Sequence, residues 1–169
     1  HDFYEAREPG RAYAYGQSAG FNSYFESNNT KKLSWSTNIS ARTGGVFKRR
    51  SFNYGLGGKI RFNSKFSVEG NINSGITYND AGFAAKTPTD IIFSRRTINN
   101  VENNLFLKYN FNNKMGLTLS TAHIFTKVQP VQYYKLDLKG DLQPDATYND
   151  NRNQNYNYLS ADMLYNWEF

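Results

Sequence analysis

The chain has 169 residues, 17% of them aromatic, and a mean hydropathy of −0.73. The high aromatic content excludes a disordered chain, because disordered segments are poor in aromatic residues. The abundance of Asn, Ser, Thr, Gly and Tyr, which are weak helix formers, argues against a helical protein. The net charge is +6, but the basic residues are scattered singly or in short clusters, so we expect no nucleic-acid partner.

The sequence also lacks several features that would point to other classes of protein. No apolar stretch approaches the roughly 20 residues of a membrane-spanning helix, which excludes a helical membrane protein. The absence of cysteine rules out disulfides and thiolate metal sites. The first residues do not have the basic start and apolar run of a signal peptide, so we expect a mature chain or an internal piece of a longer one.

Alternation of apolar and polar residues with period two is the main structural signal, because successive side chains of a strand point to opposite faces. In one segment Phe52, Tyr54 and Leu56 alternate with Asn53 and Gly55. After a loop or irregular segment at 1–16, the pattern predicts seven strands, at about 18–28, 32–43, 52–62, 65–79, 97–111, 115–128 and 156–169.

The connections between these strands alternate in length. Asn-rich turns at 28–31, 63–64 and 112–114 are short, and the stretches 44–51, 80–96 and 129–155 are predicted to be long loops. Short periplasmic turns, long extracellular loops and strands of about 9–11 residues are typical of outer-membrane barrels. The sequence therefore predicts an all-β antiparallel transmembrane β-barrel meander of about seven strands, in the outer membrane of a Gram-negative bacterium.

In such a barrel the polar face of each strand lines a wet interior and the apolar face contacts lipid. The charged residues predicted to face the interior are Arg42, Lys59, Arg61, Glu69, Lys108 and Asp162. In the long loop at 129–155, Tyr133, Tyr134 and Tyr148 lie among amides and carboxylates. We expect these tyrosines to anchor the chain at the membrane interface, with contact to glycans as the alternative.

No catalytic, metal or cofactor site is expected. The chain has no nucleophile motif and no phosphate-binding glycine loop. His123 is expected to be an interfacial aromatic residue without ligand partners. The acidic and amide residues at 145–153 lack the glycine and closing glutamate of a calcium loop. The spaced carboxylates of Glu5 with Glu8, and of Asp137 with Asp141, have no predicted cleft between them.

Several stretches resemble one family of large surface proteins from Bacteroidetes. In that family a module similar to family-nine carbohydrate-binding modules precedes a C-terminal outer-membrane barrel, and the chemical function is not established. The matching stretches are YEAREPGRAY (4–13), ESNNTKKL (26–33), YNDAGF (78–83), FSRRTINNVENNLFLKYNFNNKMGLTL (93–119), YYKLDLKGDL (133–142) and NYNYLSADMLYNWEF (155–169). The family's RHYW-like segment is replaced here by the residues at 122–125, so a role for that arginine or tryptophan does not carry over.

The resemblance implies that the chain is an internal part of a larger barrel, serving as a surface anchor or as a pore for a carbohydrate-related system. The odd number of strands agrees, since bacterial single-chain barrels have an even number. The expected partners are outer-membrane lipid, the missing strands or another protein of a membrane complex, the barrel-assembly machinery and glycans. Two alternatives remain: a small closed barrel, with Arg11–Tyr15 in an eighth strand and Phe169 as its terminal aromatic, and a soluble β-sandwich that binds glycans.

Overall fold

The computed structural model describes residues 5–168, which form a single antiparallel sheet. These residues include no helix with the length and apolarity needed to span a membrane. The strands are β1 (Ser18–Glu26), β2 (Leu33–Gly44), β3 (Arg49–Arg61), β4 (Phe66–Lys86), β5 (Ile91–Asn110), β6 (Met115–Leu136), β7 (Leu142–Pro144) and β8 (Gln154–Trp167).

The sheet is a meander in which each strand from β1 to β6 pairs with the next. The far side of β6 is shared by β8, which pairs with Met115 to Val128, and by the three-residue β7, which pairs with the end of β6. An aromatic contact between Phe47, in the β2–β3 turn, and Tyr134 on β6 reaches across the sheet, which is therefore curled rather than flat. The predicted all-β antiparallel meander of about seven long strands is confirmed, as a curled half-barrel.

The sheet does not close within the described residues, because β1 and β8 are its two edges. The closed-barrel alternative is wrong for this part of the chain: in Arg11–Tyr15 only Tyr13 forms an isolated bridge, and no strand joins β1 to β8. Phe169, the terminal aromatic of that alternative, lies outside the described residues. A sandwich would need a second packed sheet, and residues 5–168 form only one.

On β2 and β3, exposure is inverted relative to a soluble protein. On β3, Ser51 is 9% exposed, whereas its neighbour Phe52 is 46% exposed. The same strand exposes Leu56 and Ile60 and buries Gly55. We call the face that carries Ser51 the polar face and the face that carries Phe52 the apolar face. On these two strands the polar face is the more covered of the two, whereas β5 exposes several of its polar-face side chains.

Two predicted loops contain long stretches of strand, and these parts of the prediction are wrong. Most of residues 80–96 belong to β4 and β5, which are joined by a turn at 87–90. Ile91, Ile92 and Phe93 are consecutive and all buried, so the segment shows no alternation although it is a strand. Likewise β6 continues to Leu136, past Pro130, which is accommodated at a register shift opposite Arg96.

The main hydrophobic core lies at the end of the sheet where β4, β5 and β6 extend furthest. Residues 5–16, here called the strap, cross this end and bury Ala6 and Tyr13 against it. The strap is fixed by Arg11, which donates to the carbonyls of Leu136 and Asp137 at 2.6 and 2.8 Å. The remaining buried members of this core are Ile91, Phe93, Tyr134 and Leu136.

Candidate functional site

The polar face is built from glycines flanked by asparagines. Gly55 lies between Asn38 and Asn73 in the register of β2, β3 and β4. A Cβ atom at Gly55 would come within 1.9 Å of Asn38 Oδ1 and 2.2 Å of Asn73 Oδ1. The two amide side chains therefore lie over the glycine and occupy the space that a side chain would take. This packing covers the polar face with hydrogen-bonding groups.

The six charged residues predicted for the interior lie on strands of the sheet. Lys59 and Glu69 are directly opposite each other on β3 and β4, and Lys59 Nζ lies 2.7 Å from Glu69 Oε2. Arg61 donates to the carbonyl oxygens of Asn29 and Lys31 and so fastens the β1–β2 turn. The other three do not join this group: Arg42 lies opposite Ser51, Lys108 opposite Ser67 and Thr118, and Asp162 opposite Ser120.

A second charged cluster was missed by the sequence reasoning. Asp80 on β4 is paired with Arg96 on β5, and its carboxylate accepts a hydrogen bond from Arg96 Nε at 2.8 Å. Arg49 Nε lies 3.5 Å from the other oxygen of Asp80, and Glu5 of the strap lies 3.9 Å from Arg96. Asp80 and Arg96 are 16 residues apart around one turn, a spacing that would have predicted the pair had residues 80–96 been recognised as a hairpin.

The three tyrosines predicted for a surface loop do not form one group. Tyr133 and Tyr134 are in β6, so their placement in a loop was wrong, and Tyr134 is buried in the core under the strap. Tyr148 is in the long connection, and its ring packs edge-on against Tyr133 with centroids 4.9 Å apart. The hydroxyl of Tyr133 donates to the Asp150 carbonyl at 2.5 Å. Tyr133 and Tyr148 thus order this connection.

His123 lies on the apolar face, in the row that pairs Asn103 of β5 with Leu159 of β8. Its Nδ1 is 3.2 Å from Asn103 Nδ2, and its Nε2 is 2.8 Å from Asn157 Oδ1. Because an amide nitrogen can only donate and an amide oxygen can only accept, these contacts fit a neutral ring with its proton on Nε2. Both ring nitrogens of His123 are satisfied by amides.

The acidic residues considered for cation binding or acid–base work have other partners. The Asp150 carboxylate accepts from Arg152 at 3.0 Å and from the Tyr148 hydroxyl at 3.1 Å. Glu5 accepts the backbone N–H of Phe83, and Glu8 pairs with Lys86. Across residues 5–168 there is no group of three or more His, Asp or Glu side chains placed to hold a metal ion.

Two aspartates in the connection after β6 are held in their charged form by donors. Asp145 Oδ1 accepts from the hydroxyl and the backbone N–H of Thr147, and these bonds lower the pKa of Asp145 below its usual value. The backbone N–H groups of Asp141 and Lys139 donate to Asp137 Oδ1, and the pKa of Asp137 is lowered in the same way. Both carboxylates act as local structural acceptors.

Aromatic rings line the apolar face at the end that carries the short turns. Rings are in contact around the β3–β4 turn, where the centroids of Phe62 and Phe66 are 5.1 Å apart, and between neighbouring strands, where those of Phe66 and Tyr109 are 6.3 Å apart. Farther along the same end, Phe25 stacks on Trp35. We call this row the aromatic belt; its members are Phe25, Trp35, Phe62, Phe66, Tyr109, Phe111 and Tyr165.

These features define a class of protein with one open antiparallel sheet, hydrogen-bonding groups on one face and aliphatic and aromatic groups on the other. The chain belongs to the family described as Domain of unknown function (DUF5916), whose model matches residues 1–169. No curated protein and no solved structure matches the chain.

Proposed function

We propose that the chain is a membrane-embedded segment of a β-barrel in the outer membrane of a Gram-negative bacterium. The apolar face contacts lipid, and the polar face lines a wet interior. The inverted exposure of Ser51 and Phe52 carries this proposal, because a soluble sheet buries its apolar face against a core. Hydrocarbon is the solvent in which exposed leucine and phenylalanine side chains are favourable.

The height of the apolar face supports a fit to a bilayer. On β4 it runs from Phe66 to Ile76, and on β6 from Met115 to Phe125, eleven residues in each case. Ten steps of about 3.3 Å give about 33 Å along a strand, which a tilt of about 40° reduces to about 25 Å. That is the height of the apolar band of outer-membrane barrels.

The apolar band is also staggered as tilted strands require. The row that pairs Phe52 with Ile76 continues into Asn99 and Lys127, so on β6 the band already ends at Phe125, two residues lower. At the other end, the row of Phe66 on β4 reaches Leu117 on β6. On β6 the band continues two residues further in the same direction, to Met115. Both limits therefore shift together, as expected when strands cross a flat slab at an angle.

The aromatic belt lies at one limit of this band, where interfacial girdles occur in membrane barrels. Tyr and Trp side chains are favoured there because their apolar rings carry a polar group that reaches the headgroups. The opposite end carries the strap, the extended hairpins and the long connection after β6, and we therefore assign the end with the belt to the periplasmic side. The strap and the extended ends of β4, β5 and β6 then face the outside.

The open edges imply further strands. In lipid, the unpaired N–H and C=O groups of β1 and β8 would each be costly, so we propose that missing strands of the same barrel or a partner protein cover them. The barrel-assembly machinery would insert the complete barrel. Following the resemblance to Bacteroidetes surface proteins, we propose that the barrel is a surface anchor or a pore for a carbohydrate-related system, and that glycans contact its outer end.

Neighbouring residues on β4 provide the test. Ile72 is an exposed residue near the middle of the apolar face, and Asn71 precedes it on the polar face. In full-length protein folded into lipid vesicles, Ile72→Arg should lower the free energy of unfolding by about 2–4 kcal/mol, because arginine enters hydrocarbon. Asn71→Arg places the same charge in the wet interior and should change the free energy of unfolding by less than about 1 kcal/mol.

Urea unfolding monitored by tryptophan fluorescence measures both variants. If the apolar face contacts water, Ile72→Arg should be neutral, and the protein should leave the membrane fraction without detergent. Either observation would contradict the proposal.

A further inference from the structure

We propose that the polar face carries an oxyanion-binding site at the corner formed by β1, β2 and β3. A cavity of about 390 Å³ opens there, and the polar side chains that line it are Asn22, Ser40, Arg42, Arg49, Ser51 and Asn53. Two guanidinium groups, two amides and two hydroxyls can all donate hydrogen bonds, and no carboxylate is among the lining residues. Such a lining is suited to a carboxylate, phosphate or sulfate group.

Arg42 is a charged residue of the cavity lining whose guanidinium has no partner in the part of the chain that the structure describes. Within residues 5–168 its guanidinium makes no hydrogen bond and no ion pair. Its side chain lies against Gly20, where a Cβ atom would come within 3.3 Å of Arg42 Nε. The glycine thus leaves room for the arginine to lie along the wall of the cavity. Arg42 is exposed at the mouth of the cavity, and an oxyanion bound there would accept charge-assisted hydrogen bonds from its guanidinium.

Arg49 adds a second donor that its own contacts leave unused. Its Nη1 donates to the hydroxyl of Tyr15 at 3.1 Å, but its buried Nε has no hydrogen-bond partner and is 3.5 Å from Asp80. Asp80 is already bonded by Arg96, and Glu5 lies 3.9 Å from Arg96, so these two guanidinium groups face two carboxylates. The positive charge that remains at the cavity is that of Arg42.

The remaining lining favours an oxygen-rich ligand over a chloride ion. Asn53 Nδ2 donates to Ser40 Oγ at 3.2 Å, so the Ser40 hydroxyl accepts in this bond and its own hydrogen is available to a ligand. Ser51 lies opposite Arg42 in the register, so a hydroxyl and a guanidinium flank the same space. Donors on several sides match the several oxygens of a carboxylate, phosphate or sulfate.

Anion-dependent stabilisation of the full-length protein in a zwitterionic detergent tests the proposal. A ligand that binds the folded state stabilises it by RT ln(1 + [L]/Kd), so the unfolding temperature rises with the logarithm of the anion concentration above Kd. Thermal unfolding should be followed by circular dichroism while sodium sulfate, phosphate or acetate replaces sodium chloride at constant ionic strength. We expect a rise of this form with at least one of these anions, and the comparison of acetate with sulfate and phosphate distinguishes a planar from a tetrahedral group.

Arg42→Gln is the decisive variant, because Arg42 is bonded to nothing in the described chain and its loss should not disturb folding. The anion concentration at half-saturation should rise about tenfold, as expected for the loss of a charge-assisted hydrogen bond. Lys108→Gln removes the same charge from the polar face outside the cavity and should leave the concentration unchanged.

If the unfolding temperature of the wild-type protein does not rise with any of these anions, the proposal is wrong. It is also wrong if the two variants weaken the rise equally. Neither result bears on membrane insertion, which the arginine substitutions on β4 test separately.

Discussion

Asp80 and Arg96 face each other on β4 and β5, and Arg96 Nε donates to Asp80 Oδ2 at 2.8 Å. The pair lies just beyond the apolar band, where the hairpin extends toward the strap. Asp80 also lies 3.5 Å from Arg49, and Glu5 lies 3.9 Å from Arg96, so two carboxylates and two guanidinium groups form one cluster. Ion pairs of this kind are costly to break from one side, because the remaining charges lose their counter-ion.

A double-mutant cycle on this pair should reveal strong coupling. Asp80→Asn and Arg96→Gln should each destabilise the folded protein, and the double variant should lose about 0.5–3 kcal/mol less than the sum. The exposed Lys59–Glu69 pair is the matched control, with an expected coupling of about 0.2–1 kcal/mol. Urea unfolding of the full-length protein in vesicles measures all the variants; equal coupling in the two pairs would contradict the assignment.

Replacing Gly55 tests the packing of the polar face. Gly55→Ala would bring a methyl group against the amides of Asn38 and Asn73, and we expect a loss of about 1–3 kcal/mol as both amides move. Gly58→Ala is the control on the apolar face of the same strand, where the nearest atom would be 3.9 Å away. That variant should be unchanged or more stable by up to about 1 kcal/mol, because alanine restricts the unfolded chain. Denaturant titration compares them.

The strap should depend on Tyr13. Tyr13 is 1% exposed and packs on Phe93 with ring centroids 5.1 Å apart. Tyr13→Ala should cost about 3–5 kcal/mol of local stability through the cavity that it leaves. Hydrogen exchange of the Ala14 N–H, which donates to the Gly140 carbonyl at 2.9 Å, reports release of the strap. Tyr156→Ala truncates an exposed tyrosine on β8 and should leave that exchange rate unchanged.

Acid should loosen the turn that follows β6. The backbone donors of Asp141 and Lys139 lower the pKa of Asp137. The charged carboxylate therefore stabilises the turn fully at pH values above its usual pKa of 3.8. That stabilisation is lost as the pH falls through the lowered pKa of the folded state. Since Arg11 binds the Asp137 carbonyl, the protection factor of the Ala14 N–H, which corrects for the slower intrinsic exchange in acid, should fall on acidification below about pH 4. Asp137→Asn should remove most of this pH dependence; an unchanged profile would exclude Asp137 as its source.

The sequence alone predicts which side chains share a face of the sheet wherever apolar and polar residues alternate strictly. The exposure of Phe52, Leu56 and Ile60 on one face follows from their spacing, because period two allows no other arrangement in a strand. The hairpin ends at 80–96 were missed because Ile91, Ile92 and Phe93 are covered on both sides once the strap is in place. That covering depends on residues distant in the chain, which local patterns do not reveal.

The candidate sites divide in the same way, into contacts that the predicted strands imply and contacts that depend on distant residues. The facing of Lys59 and Glu69 follows from two correctly placed strands. The convergence of Asp80, Arg49 and Arg96 required the register of three strands and a bulge near Asn79, whose φ of 55° interrupts the regular strand. Tyr134 was misplaced because the predicted strand ended at 128, whereas the strand continues past Pro130, which the sheet accommodates at a register shift.

The strap has a consequence for how the protein is made. Each hairpin joins residues close in sequence, but Arg11 reaches Leu136 across 125 positions. Contacts of such long range form late, because the chain between them must first be ordered. The strap therefore cannot bind this end of the sheet until β6 has folded. Docking of residues 5–16 marks the completion of the extended hairpins beneath them.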